Sequence, residues 1–185
     1  GHVSVSDADG GNLDVIGDVA LITVVGGSIS GGNHFVEEAA ATAGNLVWLD
    51  ENNSGTKDVG ENGLDGVVIE LLDGSGNPID SDLVTGGIQP TTTTTAGGGL
   101  YSFGNLPAGN YTLRIATPPA LHPISSWFTD TGDNSENDDD NGIQSVAGGA
   151  ITSPVLALAA GENEQTHVFG LVSAGTIGSI VWHDS

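Results

Sequence analysis

The chain has 185 residues, with 24 Asp and Glu against 2 Lys and Arg, which gives a formal net charge of -22. Because phosphate groups are bound through Lys and Arg, this balance excludes a nucleic-acid partner and an anionic membrane surface. No apolar run approaches the roughly 20 residues that cross a bilayer, so no membrane insertion is expected. The absence of Cys excludes disulfides and thiol chemistry, and the absence of Met predicts excision from something longer.

Residues 1–42 are predicted to be strands of a preceding unit or an N-terminal extension. Apolar and polar residues alternate around Val3, Val5 and Leu13, which is typical of half-buried strands. The segment Val19–Val25 is too apolar for a disordered leader. The run Glu37–Ala41 could form one helical turn, although no helical periodicity continues it.

Short β-like runs bounded by Gly, Asn, Asp or Pro follow along the chain. They are Asn45–Leu49, Gly66–Leu72, Leu100–Phe103, Tyr111–Ala116, Ser153–Ala159 and Thr166–Leu171. The run Thr91–Thr95 is β-branched, but its Gly-rich flanks are equally compatible with a mobile loop. Strands of this length at this spacing predict an all-β fold, an antiparallel β-sandwich.

An internal repeat organises the chain. Gly44–Asp50 returns 134 positions later as Gly178–Asp184, with the Gly, Trp and Asp unchanged. Two further pairs obey the same spacing, Phe35 with Phe169 and Thr42 with Thr176. A recurrence of this kind marks a tandem repeat, so residues 43–173 are predicted to be one complete module. Residues 174–185 are predicted to be the first strand of a following repeat.

The acidic residues are clustered. Segments 50–65, 73–82 and 130–140 make up a fifth of the chain and hold 14 of its 24 carboxylates. Carboxylates about 4 Å apart repel by roughly 4 kcal/mol at an effective dielectric near 20, so such clusters favour bound cations over a uniformly acidic, salt-adapted surface. Solvated loops remain the alternative, and they are preferred for segment 73–82, which surrounds a Gly-Asn-Pro turn.

The strongest candidate site is the loop 50–61, directly after the first strand of the module. Oxygen donors recur at alternate positions, as in the calcium loop of helix–loop–helix proteins, and Gly55 stands at position 6, where that loop turns sharply. The predicted ligands are Asp50, Asn52, Ser54, the carbonyl of Thr56, Asp58 and Glu61. Ligands that are all oxygen favour Ca²⁺ over Zn²⁺ or Cu²⁺.

A second candidate set lies in the Asp-rich segment 130–140, which Asn141-Gly142 closes. Its spacing is less regular than that of the first loop. Asp133, Asp138 and Asp140 are the predicted metal ligands there.

Several of these segments resemble a known family. The runs Gly44–Asp50 and Gly63–Leu71, with the calcium-type loop between them, resemble the SdrD B-like B-repeat domains of SD-repeat bacterial surface adhesins. The block Gly99–Arg114 resembles the wider collagen-adhesin B-type, transthyretin-like signature. The resemblance covers residues 43–185. It implies a seven-stranded Ig-like or transthyretin-like sandwich with calcium in its loops and a stalk role on a cell surface.

One departure from related folds bears on stability. Many relatives carry an internal Lys–Asn or Lys–Asp isopeptide crosslink with its Lys on the first strand. The only Lys here is Lys57, inside the calcium-type loop. That crosslink is therefore not expected, and calcium becomes the main predicted staple.

The function predicted from the sequence is a calcium-stabilised spacer of a bacterial cell-surface or secreted adhesin, located outside the cell. Its expected partners are neighbouring repeats or copies of itself, with a host or matrix ligand as a further possibility. An enzyme is not expected, because the five His are scattered and no nucleophile or metalloprotease motif is present. Trp48 and Trp182 are interpreted as core residues of the repeated strand.

Two alternatives stay open. A carbohydrate- or protein-binding module would use Trp127-Phe128 as an exposed platform, although packing of both rings under the Asp-rich loop is preferred. A self-assembling filament subunit would use the strand Ile177–Trp182, paired with residues 13–25 or with the next subunit, because an unpaired apolar strand adds to a sheet edge.

Overall fold

The structure, a computed structural model, describes residues 2–7, 35–80, 91–127 and 139–175, and within these ranges every regular element is a strand. The strands are β1 (His2–Asp7), β2 (Phe35–Ala39), β3 (Ala41–Leu49), β4 (Val68–Asp73), β5 (Thr92–Thr94), β6 (Leu100–Leu106), β7 (Gly109–Ile115), β8 (Ile124–Ser125), β9 (Ile143–Gln144), β10 (Ile151–Thr152), β11 (Leu156–Leu158), β12 (Asn163–Glu164) and β13 (Phe169–Val172). The predicted all-β fold is confirmed. The segments 13–25 and 177–182 lie outside the described residues.

Two sheets form a sandwich. One has the order β5-β4-β7-β10-β9, with β11 also paired to β7. The other has the order β12-β3-β13-β8, with β6 also paired to β3, while β1 and β2 form a separate antiparallel pair. Of the eleven strands described in the two sheets, seven have three residues or more, the number that the family resemblance implies.

Two local interpretations are settled by the pairing. The helical turn suggested for Glu37–Ala41 is wrong, because β2 and β3 occupy this segment with only Ala40 between them. The Thr run forms strand β5, which pairs with β4 so that Thr94 lies opposite Val68. β-branched Thr side chains suit an edge strand of this kind, and they outweigh the Gly-rich flanks.

The core lies between the sheets and follows the two-residue period of the strands. Ile69 and Leu71 of β4 face inward, as does Leu113 of the neighbouring strand β7, and all three are buried. From the other sheet, Tyr101 and Phe103 pack edge to face with their ring centroids 6.5 Å apart. Burial raises the pKa of the Tyr101 hydroxyl, which donates to the carbonyl oxygen of His167 at 2.6 Å.

The first and last strands of the sandwich, β3 and β13, pair in parallel. Gly170 lies opposite Trp48 in this register, between the buried Phe169 and Leu171. Trp48 is fully buried, as predicted from its place in the repeated strand. Neighbouring strand residues alternate in direction, so Gly170 faces away from the core, on the same side of the sheet as the Trp48 ring. A Cβ at Gly170 would come within 2.8 Å of that ring.

Substitution Gly170→Ala is therefore expected to destabilise the domain by about 1–3 kcal/mol, the usual cost of overpacking. The added methyl would also come within 2.3 Å of Ser126 Oγ, so a rotation of the indole alone does not relieve it. Chemical denaturation measures the loss. Gly104→Ala, where an added Cβ meets nothing within 4 Å, is the matched control and should leave the free energy of unfolding nearly unchanged. Equal effects of the two substitutions would contradict this account of Gly170.

Candidate functional site

The loop 50–61 lies at the end of the sandwich where β3 and β13 both finish, here named the C-terminal pole. Its first residue is tied to the last strand, because the Asp50 amide donates to the carbonyl oxygen of Leu171 at 2.9 Å. The backbone turns through left-handed conformations at Asn53 (φ 58°), Gly55 (φ 80°) and Gly60 (φ 103°). Gly55 thus provides the sharp turn that its position in the calcium-type pattern requires.

Four of the six predicted ligand residues meet in the centre of this loop. Asn52 Nδ2 donates to Asp58 Oδ2 at 2.7 Å, and Ser54 Oγ lies 3.4 Å from the same carboxylate oxygen. Ser54 Oγ also lies 3.0 Å from the carbonyl oxygen of Thr56. The structure therefore places an amide, a carboxylate, a hydroxyl and a carbonyl in one chain of hydrogen-bonding contacts.

The other two predicted ligands, Asp50 and Glu61, brace the loop through its backbone. The Asp50 carboxylate is fully buried and accepts hydrogen bonds from the amides of Ser54 (3.1 Å) and Gly55 (2.8 Å). The two Glu61 oxygens accept from the amides of Glu51 (2.8 Å) and Asp58 (2.9 Å). A carboxylate has about four lone-pair positions, so these bonds leave acceptor capacity on both side chains.

Asp140, from the second acidic segment, is also fully buried at this pole. Its Oδ1 accepts from the amides of Gly142 and Gly170, both at 2.9 Å, and its Oδ2 lies 3.1 Å from Ser125 Oγ. The Asp140 amide in turn donates to the carbonyl oxygen of Gly55 at 2.7 Å. This contact joins the two acidic segments. Asp133 and Asp138 lie outside the described residues.

Sequence reasoning did not single out the two serines that connect these groups. Ser126 Oγ donates to Asp50 Oδ2 at 2.8 Å, while Ser125 contacts Asp140 from the adjacent position. Both serines are buried. Two consecutive serines after an apolar residue are only a weak indication of contacts with buried carboxylates, because Ser is common in loops for its hydrogen bonds to the local backbone.

The two basic side chains of the chain have partners other than the two buried aspartates. Arg114 pairs with Glu70 at 2.6 Å in the opposite sheet, and Lys57 Nζ donates to the carbonyl oxygen of Glu61 at 3.1 Å. Within the described residues, no three His, Cys, Asp or Glu side chains converge in a way that could hold a metal ion.

The third acidic segment forms a tight turn around residues 73–77. Asp73 accepts from the amides of Ser75 (2.8 Å) and Asn77 (2.9 Å), and from the Asn77 side chain at 3.2 Å. Hydrogen bonds from Asn77, followed by those from Ser75 and Gly76, lower the pKa of Asp73. This carboxylate thus stabilises a hairpin turn, in line with the interpretation preferred from the sequence.

A groove of about 380 Å³ opens beside the pole, between β8 and β9. Trp127 forms one wall and is 77% exposed, so the preferred interpretation that it packs under the Asp-rich loop is wrong. The Trp127 amide donates to Asn53 Oδ1 at 2.7 Å, which joins this residue to the loop 50–61. Phe128 lies outside the described residues.

The SdrD B-like domain family model matches residues 41–171. The chain belongs to this family. A fibrinogen-binding protein of Staphylococcus epidermidis is 33% identical over 129 residues, which cover 69% of this chain and 10% of the relative. Serine-aspartate repeat-containing protein E of Staphylococcus aureus is 30% identical over 151 residues, covering 82% of this chain and 11% of the relative. Serine-aspartate repeat-containing protein F of Staphylococcus epidermidis is 35% identical over 106 residues, covering 57% and 5% respectively.

Family membership confirms the resemblance drawn from the sequence, and it agrees with the prediction that the chain is not an enzyme. The chain spans about a tenth or less of the length of these relatives. In the part of the chain that the structure describes, no helix is long and apolar enough to cross a membrane. The domain boundaries predicted from the internal repeat stay a prediction.

Removal of the Asp140 side chain should destabilise the domain strongly. In Asp140→Ala the buried amides of Gly142 and Gly170 lose their acceptor, and we expect a loss of about 2–4 kcal/mol in the free energy of unfolding. Denaturation in excess EGTA measures the hydrogen-bonding role separately from any bound ion. Asp140→Asn keeps an acceptor oxygen and should lose less. Equal stability of Asp140→Ala and the unchanged chain would refute the role given to these bonds.

Proposed function

We propose that this SdrD B-like domain is a spacer module of a bacterial surface or secreted adhesin. The parallel pairing of β3 with β13 is the observation that supports this best. Because the first and last strands run side by side in the same direction, the chain enters the sandwich at one pole and leaves at the other. Modules joined in this way follow one another end to end, and each adds its length to a stalk.

We infer an extracellular location and neighbouring repeats as the immediate partners. The internal repeat supports a tandem array, and the acidic, Cys-free composition is compatible with a solvated stalk. Two relatives are named for binding fibrinogen and bone sialoprotein. A spacer would present the ligand-binding part of such a protein at a distance from the cell surface.

We further propose that the loop 50–61 binds Ca²⁺ and that the ion stabilises the C-terminal pole. The side chains of Asn52, Ser54 and Asp58 and the carbonyl of Thr56 already lie together, and each carries an oxygen, which suits the Ca²⁺ preference for mixed oxygen ligands. Bound calcium would supply positive charge in a loop where Lys57 is the one basic residue among four acidic ones. Asp50 and Glu61 have acceptor capacity left to complete the shell. Asp140, which contacts Gly55, would be stabilised indirectly.

Calcium is expected to raise the melting temperature of the chain, and Mg²⁺ much less. At about 2 mM Ca²⁺ and a dissociation constant of about 0.1–1 mM, one site adds roughly 0.6–1.8 kcal/mol, which corresponds to a shift of about 1–7 °C for a domain of this size. Thermal melts in about 2 mM Ca²⁺, in Mg²⁺ and in excess EGTA measure it, since extracellular calcium modules bind in the 0.1–1 mM range.

A pair of variants localises the effect. Asp58→Asn should weaken calcium binding at least about tenfold in titration calorimetry, the effect expected from loss of about 1.4 kcal/mol of binding energy. Glu51→Gln removes the same charge from an exposed residue of the same loop, outside the predicted ligand set, and should change affinity far less. Identical melts in Ca²⁺ and EGTA, or equal effects of the two variants, would rule out this site.

The exposed groove favours a second function, binding of a host or matrix ligand. Trp127 stands in the groove wall with Ile143 and Val146, which are 41% and 67% exposed, and none of the lining residues is charged. In a chain with a net charge of -22, an uncharged apolar surface of this kind is suited to recognition.

Substitution Trp127→Ala separates this function from a packing role. Because the ring is largely exposed, the free energy of unfolding should change by no more than about 0.5 kcal/mol. Binding of fibrinogen, measured by surface plasmon resonance, should fall if the groove is used, and Leu121→Ala, equally exposed at 77%, serves as the control. Loss of stability in Trp127→Ala would contradict the exposed placement. The filament alternative depends on residues 177–182, outside the described residues, and stays a prediction.

A further inference from the structure

The pairing of β1 with β2 reproduces the pairing of β8 with β13. Both pairs are antiparallel. In the sandwich, Leu171 lies opposite Ser125 and Val172 opposite Ile124. In the N-terminal pair, Glu37 lies opposite Ser4 and Glu38 opposite Val3.

These registers are related by constant spacings. Glu37 and Glu38 precede Leu171 and Val172 by the same 134 positions that separate the repeated strands, while Ser4 and Val3 precede Ser125 and Ile124 by 121. The 134-residue spacing places β2 on β13, and the antiparallel pairing then places β1 on β8. Residue types agree on one strand of the pair, Ser4 with Ser125 and Val3 with Ile124, whereas Glu37 and Glu38 stand where the sandwich has Leu171 and Val172.

We propose that β1 and β2 are closing strands of a preceding repeat, and that the N-terminal pole of the 41–171 domain is the surface on which that repeat docks. The N-terminal pole is the end of the sandwich where β3 begins. The proposal deepens the spacer function and rests on it, because it defines how one spacer module is joined to the next.

The connection between the two repeats is very short. Only Ala40 separates β2 from β3, and one residue spans at most about 3.6 Å. Flexible linkers between domains are much longer chains with many rotatable bonds. A one-residue connection therefore leaves little freedom for one repeat to swing relative to the next.

Contacts on either side of this connection restrict it further. The Glu38 carboxylate accepts a hydrogen bond from the Ala108 amide, in the turn between β6 and β7. The Gly161 amide, in the turn between β11 and β12, donates to the carbonyl oxygen of Ala39 at 2.8 Å. Gly161 has φ 76° and carries no Cβ, which lets the backbone approach Ala39 closely. The two turns thus hold the end of β2 from both sides, and the junction is stiff.

Amide hydrogen exchange in the full 185-residue chain, measured by NMR in the presence of Ca²⁺, tests the docking directly. The amides of Ala108 and Gly161 are expected to exchange at least about tenfold more slowly than unprotected amides. Glu38→Ala should remove the protection of Ala108. Glu51→Ala, which removes the same side chain at the opposite pole, should leave it unchanged. Free exchange at both amides in the unchanged chain would overturn the proposal, and unaltered protection in Glu38→Ala would overturn the role of Glu38.

A second variant does not depend on the Glu38 side chain. Insertion of Gly-Gly-Ser after Ala40 should decouple the motion of residues 2–7 from that of the domain, seen as different rotational correlation times in ¹⁵N relaxation. In the unchanged chain both parts should tumble together. Independent tumbling without the insertion would mean a loose extension and no docking. That outcome leaves the calcium-dependent melt of the domain unaltered, so failure of the junction is distinguishable from failure of the calcium-stabilised spacer.

Discussion

The parallel pairing of β3 with β13 is the constraint on which the rest of the structure depends. It closes the sheet between the first and last strands of the domain, and it brings Asp50, Trp48 and Gly170 into one region. A parallel pair cannot be joined by a tight turn and needs a long connection. In this domain that connection contains every other strand. The pairing is consequently made by residues more than 100 positions apart, and the domain folds as one unit or loses its first and last strands together.

The C-terminal pole carries an electrostatic cost that the fold reduces with backbone amides. Asp side chains are almost never fully buried unless they are paired or hydrogen-bonded, yet Asp50 and Asp140 are both buried there. Four amides and two serine hydroxyls surround them, and hydrogen bonds to a charged group are stronger than those between neutral groups. The pole is thus stabilised by hydrogen bonds that the two buried carboxylates accept.

Sequence patterns predicted the strands well because the physics behind them is local. Alternation of buried residues marks β4 and β7, and the repeated Gly44–Asp50 segment marked β3 as the start of a module. The loop 50–61 was found because oxygen donors at alternate positions, with Gly at the sixth, are typical of cation-binding loops. The conformations at Asn53 and Gly55 then agree with the turn that this spacing requires.

What the sequence did not reveal depends on contacts between distant segments. Nothing near Ser125 or Ser126 indicates that these hydroxyls meet two aspartates, one of them 76 positions away. The exposure of Trp127 is likewise not marked by a local pattern, because its ring has an apolar body and a polar tip and suits either a buried or a surface position. Its amide bonds to Asn53, a residue 74 positions away in the chain.

The two poles differ in how they are held, and this difference follows from charge. At the N-terminal pole the carboxylates of Glu38 and Glu162 accept from turn amides, and the connection to β2 is one residue long. At the C-terminal pole acidic residues accumulate, and the chain has only Lys57 and Arg114 to offset them. Under tension applied through the termini, β3 and β13 are sheared along their common register, so the weakest point is set by the groups that anchor their ends. A cation at the loop 50–61 would reinforce that point, since Asp50 begins the loop and its amide is bonded to β13.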